Sequence, residues 1–290
     1  GRLILNQANA FTDRITITSG TIVATANAAA LGTASNIYLN GGTLNLQNDA
    51  PLAFGRPMFM PVASTLVSDR VTPGDGVTHS MGDLTLQGTV ALVTVNAGAN
   101  ITGGLAGIGV GRLTTVTGTT HQIDTNALLS ITQMSGNHAL TKLGLGQTTV
   151  TGALNGTRTA LTTITGGTLR LEASNALSSG TGNMTINNGA TLELAGNTNT
   201  TFNGTTITLS GASQTIRVDR ATAGAGEVTH TIANLSWSAN NLELVVDRGT
   251  NLSGTDLGRL GMTAVTQNTA NRTYNYLTRP FARVDWPSFT

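Results

Sequence analysis

The chain has 290 residues and a mass of 29.6 kDa, with 10% of its residues charged and 4% aromatic. Gly (36), Thr (52) and Asn (26) make up nearly two-fifths of it and Lys142 is its single lysine, a balance with too few helix formers for a helical bundle or a doubly wound α/β enzyme. Its 15 basic and 14 acidic residues leave a net charge of +1 with no block of either sign, which argues against nucleic acid or an anionic membrane as a partner.

The lack of cysteine excludes a disulfide framework, thiolate metal sites and cysteine nucleophiles. It also suits a bacterial surface protein that crosses membranes unfolded. No run approaches the roughly 18 to 20 apolar residues of a spanning helix. The chain opens at Gly1 without Met or a basic-then-apolar leader, and so reads as a piece of something longer or already processed.

Short segments in which Val, Ile or Leu alternate with polar residues follow one another along the chain. They are Ile15–Thr18, Thr43–Leu46, Leu84–Leu86, Val93–Val95, Thr168–Leu171, Thr191–Leu194 and Leu242–Leu244. A period of two predicts half-buried strands. Asn40-Gly41-Gly42, Thr165-Gly166-Gly167 and Asn187-Asn188-Gly189 separate them as turns.

The pattern also repeats at long range. Asn27–Thr33 followed by Ile37–Leu46 is matched by Asn175–Thr181 followed by Met184–Leu194. Asp69-Arg70, His79 and Asn100 correspond to Asp219-Arg220, His230 and Asn251, so the offset drifts from about 147 to 151. Two tandem modules are therefore expected, 1–145 and 146–290. The strands recur too often, with too little charge between them, for a sandwich with one wet face. An all-β, right-handed parallel β-helix is predicted, a β-solenoid whose turns of roughly 20 residues each advance about 4.8 Å. Val, Ile and Leu would stack inward, and uncharged, β-branched Thr would form outward ladders without repulsion.

Ala139-Leu140-Thr141-Lys142-Leu143-Gly144-Leu145-Gly146, then Thr165-Gly166-Gly167-Thr168-Leu169, then Asn175-Ala176-Leu177 with Gly180 strongly resemble the passenger-associated transport repeat of autotransporter-type bacterial proteins, with Lys142 in its lysine place. Gly1–Asn6 and Ser19–Ile22 are similar to parts of the same signature. The resemblance covers residues 1 to 50 and 138 to 195. It implies an extracellular, β-helical segment of a bacterial surface stalk, fibre or adhesin, and it supplies no chemistry.

Polysaccharide-binding or polysaccharide-cleaving β-helices are the alternative, and cleavage needs clustered carboxylates. Here the acidic residues are spread nearly singly, so no enzyme, cofactor or metal is expected. Asp69-Arg70 with Asp75 and His79 is the tightest group. Asp75 becomes Ala225 in the second module while the others persist, which reads as an ion pair closing a loop. Pro51–Pro61 is read as a loop, not a central strand, because of its three prolines, and the second module replaces it with a polar stretch, Asn197–Thr206. Phe54, Met58, Phe59 and Met60 in that loop form one candidate interaction patch. Tyr274, Tyr276, Phe281, Trp286 and Phe289 at the C-terminal end form another. Self-association into filaments or continuation by more chain is the expected partnership, with surface polysaccharide as a further one.

Overall fold

The computed structural model describes residues 1–33, 35–118, 120–154, 156, 158–177, 182–238, 242–267 and 274–286, with 203–205, 242, 267, 274 and 275 described through their backbone alone. The chain divides into two compact units, Gly1–Thr148 and Thr149–Thr290. Each unit is a parallel β-helix, in which the chain passes alternately through two sheets and pairs with itself one turn later.

In the first unit one sheet stacks Arg2–Leu5, Thr21–Thr25, Thr43–Gln47, Ser64–Asp69, Leu92–Ala97, Thr120–Thr125 and Ala139–Leu143, in chain order. The other stacks Ile15–Ile17, Ile37–Leu39, Met58–Met60, Leu84–Leu86, Gly107–Thr115 and Leu128–Ser135. Gly74–Asp75 and Ile101–Gly103 make a small third sheet. In the second unit the first kind of sheet runs Thr162–Ile164, Met184–Ile186, Thr200–Leu209, Val228–Trp237, Gly258–Gln267 and Ala282–Asp285. The second kind runs Thr168–Leu171, Thr191–Ala195, Ser213–Asp219, Leu242–Arg248 and Tyr274–Thr278. The turns vary in length: Arg2 pairs with Thr21, Thr65 with Thr94 and Val228 with Gly258. The longer turns carry the extra loops described below. Among the described residues the only helix is one 3-10 turn, Ala28–Leu31, capped by Asn27, whose side chain accepts from the Ala29 N–H at 2.8 Å.

The core consists of inward rows that follow from the alternation. In-register pairing stacks Ile15, Ile37, Met58, Leu84, Leu113 and Met134 in one row. Leu44, Leu66 and Val95 stack in the facing sheet. All of these but Ile15 are fully buried, and each buried aliphatic side chain contributes roughly 1.5–3 kcal/mol. Lys142 follows Val93 and Ile123 in an inward row, so the single lysine is a core residue, 1% exposed.

The Pro51–Pro61 segment differs from expectation. Met58–Met60 is a central strand, paired on one side with Ile37–Leu39 and on the other with Leu84–Leu86. Pro57 and Pro61 flank those three residues rather than interrupt them, so no ladder donor is lost, and the Pro57 carbonyl itself accepts from the Ile37 N–H at 2.8 Å. Met58 and Met60 are therefore core at 0% exposure, and Phe54 is buried at 1%. These three present no surface patch, and of the four only Phe59 faces outward.

Candidate functional site

The corner that follows Ser64–Asp69 gathers the residues singled out as the tightest group. Asp69 is buried, and one oxygen of its carboxylate accepts the Arg70 N–H at 2.9 Å and the Asn100 N–H at 3.0 Å. Gly98 is required here, because a β-carbon on it would overlap the Asp69 carboxyl group. The Asn100 amide donates to the Arg70 carbonyl at 2.7 Å. His79 donates from Nε2 to the Asp69 carbonyl (3.1 Å), Nδ1 accepts the Leu52 N–H (3.2 Å), and the ring edge meets Phe54 at 6.1 Å between centroids. This network fixes the neutral tautomer, and burial pushes the ring's pKa down.

The carboxylate facing Arg70 is not that of Asp69. Arg70 Nε lies 3.6 Å from Asp49, and its guanidinium also donates to the carbonyls of Thr72 and Asp75. Asp49 in turn accepts from the Thr72 and Val71 N–H groups, which hold its carboxyl below the usual range. The Asp69-Arg70 sequence thus splits into two devices, a buried backbone cap and a half-exposed loop clasp.

The backbone cap recurs in the second unit, and the clasp recurs without its ion pair, the Arg220 guanidinium donating to the Gly226 carbonyl at 3.4 Å. Asp219 accepts the Asn251 N–H at 2.9 Å, and Gly249 packs against its carboxyl group as Gly98 does against Asp69. His230 Nε2 meets the Asp219 carbonyl at 2.8 Å, and Phe202 stands edge-on to the His230 ring at 5.5 Å. Asn197 takes the place of Asp49 and accepts from the Thr222 N–H at 3.0 Å. The stretch Asn197–Thr206, read as polar, therefore keeps one aromatic, Phe202, because the His ring beneath it needs the same edge contact.

The second unit adds a charged ladder with no counterpart among the described residues of the first. Register places Arg170, Glu193, Arg217 and Asp247 on successive strands. Arg170 pairs with Glu193, with Glu172 at 2.8 Å and with Asp219 at 3.0 Å, while Arg217 reaches Glu193 at 3.3 Å and Asp247 at 3.6 Å. Arg170 also donates to the carbonyls of Arg220 and Ala221, so the loop after Asp219 closes over it. Burial raises the Glu193 carboxyl, and the two guanidinium groups pull it back. Three carboxylates thus meet on one arginine, and each is engaged by it. Sequence inspection missed this cluster, since successive members of the ladder Arg170, Glu193, Arg217 and Asp247 lie 23 to 30 residues apart and only strand register unites them.

Phe59 is the one member of the first aromatic patch on the surface. It lies beside Tyr38, which sequence inspection passed over, in an outward row running Thr16, Tyr38, Phe59, Thr85. A cavity of about 250 Å³ opens on these rings, lined by Arg14, Asn36, Tyr38, Phe59 and Gln87. The Arg14 guanidinium sits 5.0 Å from the Tyr38 ring centroid, and the Gln87 amide donates to the Tyr38 hydroxyl at 3.4 Å. The C-terminal aromatics separate into two contacts. Tyr276 and Trp286 meet edge-on at 5.0 Å, whereas Phe281 lies under the Arg248 guanidinium at 5.1 Å. Tyr274 belongs to the strand Tyr274–Thr278, and Phe289 lies outside the described residues. Among the described residues no group of three or more His, Asp or Glu side chains is placed to hold a metal ion, and no helix is long and apolar enough to cross a membrane.

No protein-family model, no curated protein and no solved structure matches the chain.

Proposed function

We propose that the chain is a non-catalytic, structural segment of an extracellular β-solenoid fibre, stalk or adhesin of a bacterial cell surface. The observation that carries this reading is the duplicated corner. Asp69, His79 and Asn100, and again Asp219, His230 and Asn251, direct their polar atoms to backbone groups of neighbouring turns. Residue types that elsewhere perform acid–base chemistry here fasten loops to a stack. The resemblance of Ala139–Gly146 and its following motifs to the transport repeat of surface proteins supports the same reading and adds export. Uncharged rows of Thr suit a long rod, since stacked neighbours do not repel.

Self-association belongs to this proposal. Among the described residues the strand Arg2–Leu5 pairs with Thr21–Thr25 alone, and its own Leu3 and Ile4 are about half exposed. Such an edge accepts another strand. Two measurements test the reading. Protease shaving of intact producing cells should release the segment. Electron microscopy and light scattering of native material should show assemblies that a chain cut after Leu277 forms less readily. Recovery of the segment only from the cell interior, or identical monodisperse monomers for both chains, would overturn it.

Polysaccharide contact is the second reading, favoured by the cavity at Tyr38 and Phe59. The cleaving version gains less, because the densest carboxylate group is held by Arg170.

A further inference from the structure

We propose that the outer face of the first unit carries a binding groove for an acidic polysaccharide, in which Tyr38 and Phe59 stack sugar rings and Arg14 pairs with a uronate carboxylate. The inference stands apart from the fibre reading, since every residue it uses lies within one unit.

The lining of the cavity comes from four consecutive turns. Arg14 precedes the strand Ile15–Ile17, Asn36 and Tyr38 belong to the next turn, Phe59 to the third, and Gln87 follows Leu84–Leu86 in the fourth. At about 4.8 Å per turn the groove runs roughly 14 Å along the stack, which suits about three sugar units in an extended chain. A second hollow of about 290 Å³ is lined by Ala10, Phe11, Thr12, Asp13, Arg14 and Ile15 and has Arg14 in common with the first; its Asp13 carboxylate makes it no part of the acidic-ligand site.

The chemistry of the lining fits a sugar better than a peptide side chain. Aromatic rings with polar edges pack against the C–H faces of pyranose rings while leaving hydroxyls free to bond. The amides of Asn36 and Gln87 supply donors and acceptors of the kind hydroxyls need. Arg14 is exposed, and no carboxylate of the described residues forms an ion pair with it. Its guanidinium is held over Tyr38 by the ring, leaving its fork of N–H groups for a ligand anion. A neutral glycan would leave that fork empty, which is why the uronate is favoured.

The test is calorimetric or NMR titration of the whole chain with trigalacturonate and with maltotriose, for the wild type and for Phe59→Ala and Arg14→Gln. The wild type should bind trigalacturonate at least tenfold more tightly than maltotriose. Phe59→Ala should weaken trigalacturonate at least tenfold. Arg14→Gln, at an exposed position that leaves the fold intact, should abolish the preference between the two sugars. Thermal melts of each variant identify a loss that is merely unfolding, and the preference lost in Arg14→Gln then decides. Failure of the wild type to bind trigalacturonate at millimolar concentration, equal binding of both sugars, or unaltered preference in folded Arg14→Gln would overturn the proposal.

Discussion

Replacing Asp69 by alanine removes the acceptor shared by the Arg70 and Asn100 N–H groups, at 2.9 and 3.0 Å, from a site only 5% exposed. Hydrogen bonds to a charged acceptor contribute about 1.5–3 kcal/mol each, and an orphaned buried donor costs about 1–3 kcal/mol. The two donors share one oxygen and lie on loops that can admit some water, so the sum is discounted to about 3 kcal/mol. For a unit of this size that is a fall in melting temperature of roughly 6–12 °C. Asp69→Asn keeps the oxygen and loses the charge, and should cost about 1 kcal/mol. Asn100→Ala keeps its own backbone N–H on Asp69 and loses only the amide bonds to Arg70 and Val71. Its coupling to Asp69→Ala in a double-mutant cycle should be about 1 kcal/mol, because both hold the same loop. Circular dichroism melts and urea titrations give all four corners of the cycle. Alanine and asparagine variants that melt within about 1 °C of the wild type would refute the view that this carboxylate fastens the turns.

Arg170→Met should cost about 3–5 kcal/mol in urea titrations, since it leaves Glu193 and Asp219 buried without their shared partner. Arg217→Met, at a position about one-third exposed, should cost under about 1 kcal/mol. Adding Glu193→Gln to Arg170→Met should restore part of the loss. For Lys142, burial lowers the ammonium pKa to about 8, while the unfolded chain titrates near 10.4. Between those values the unfolded chain binds more protons, so stability rises with pH from about 8 to 10 and the gain is absent below 8. The amine's contacts with the Leu143 and Gly144 carbonyls at 2.6 and 2.9 Å hold it in place, and the nearby Asp124 charge already offsets part of the burial, so the gap corresponds to about 3 kcal/mol at most. Chemical denaturation from pH 7 to 10 should show this rise in the wild type and not in Lys142→Met.

The parts of the fold that were legible depend on nearest neighbours in sequence. Alternation at Thr43–Leu46 or Thr191–Leu194 states which side chains face inward, and the spacing of Gly and Asn marks the turns between strands. The long repeat was legible because its Asp, Gly and Asn bond to backbone and tolerate few replacements: Gly98 and Gly249 have no room for a side chain beside the carboxyl groups they touch. Met58–Met60 was misread because three prolines in eleven residues suggest a loop. A strand of three residues needs only its own N–H groups, which proline neighbours leave untouched. Once it pairs, parity places Met58 and Met60 inside and Phe59 outside, so one apparent patch divides between core and surface.

What remained illegible depends on register. Tyr38 and Phe59 are 21 residues apart, and Arg170 and Glu193 are 23 apart, yet each pair is adjacent across one turn. Turn lengths differ between Arg2↔Thr21 and Val228↔Gly258, so no fixed period in the sequence aligns outward positions. Inward positions escape this difficulty, because any aliphatic side chain can stack on any other and the core forms whichever partners meet. Outward rows have no such tolerance: an arginine beside a carboxylate, or a tyrosine beside a phenylalanine, is chemistry only if the loop between them has the right length. In a solenoid the scaffold is therefore written in local alternation, whereas binding capacity is written in loop lengths. A two-residue slip of Met58–Met60 against Ile37–Leu39 would preserve the inward parity, and with it an aliphatic row, but would part Phe59 from Tyr38 and dismantle the groove.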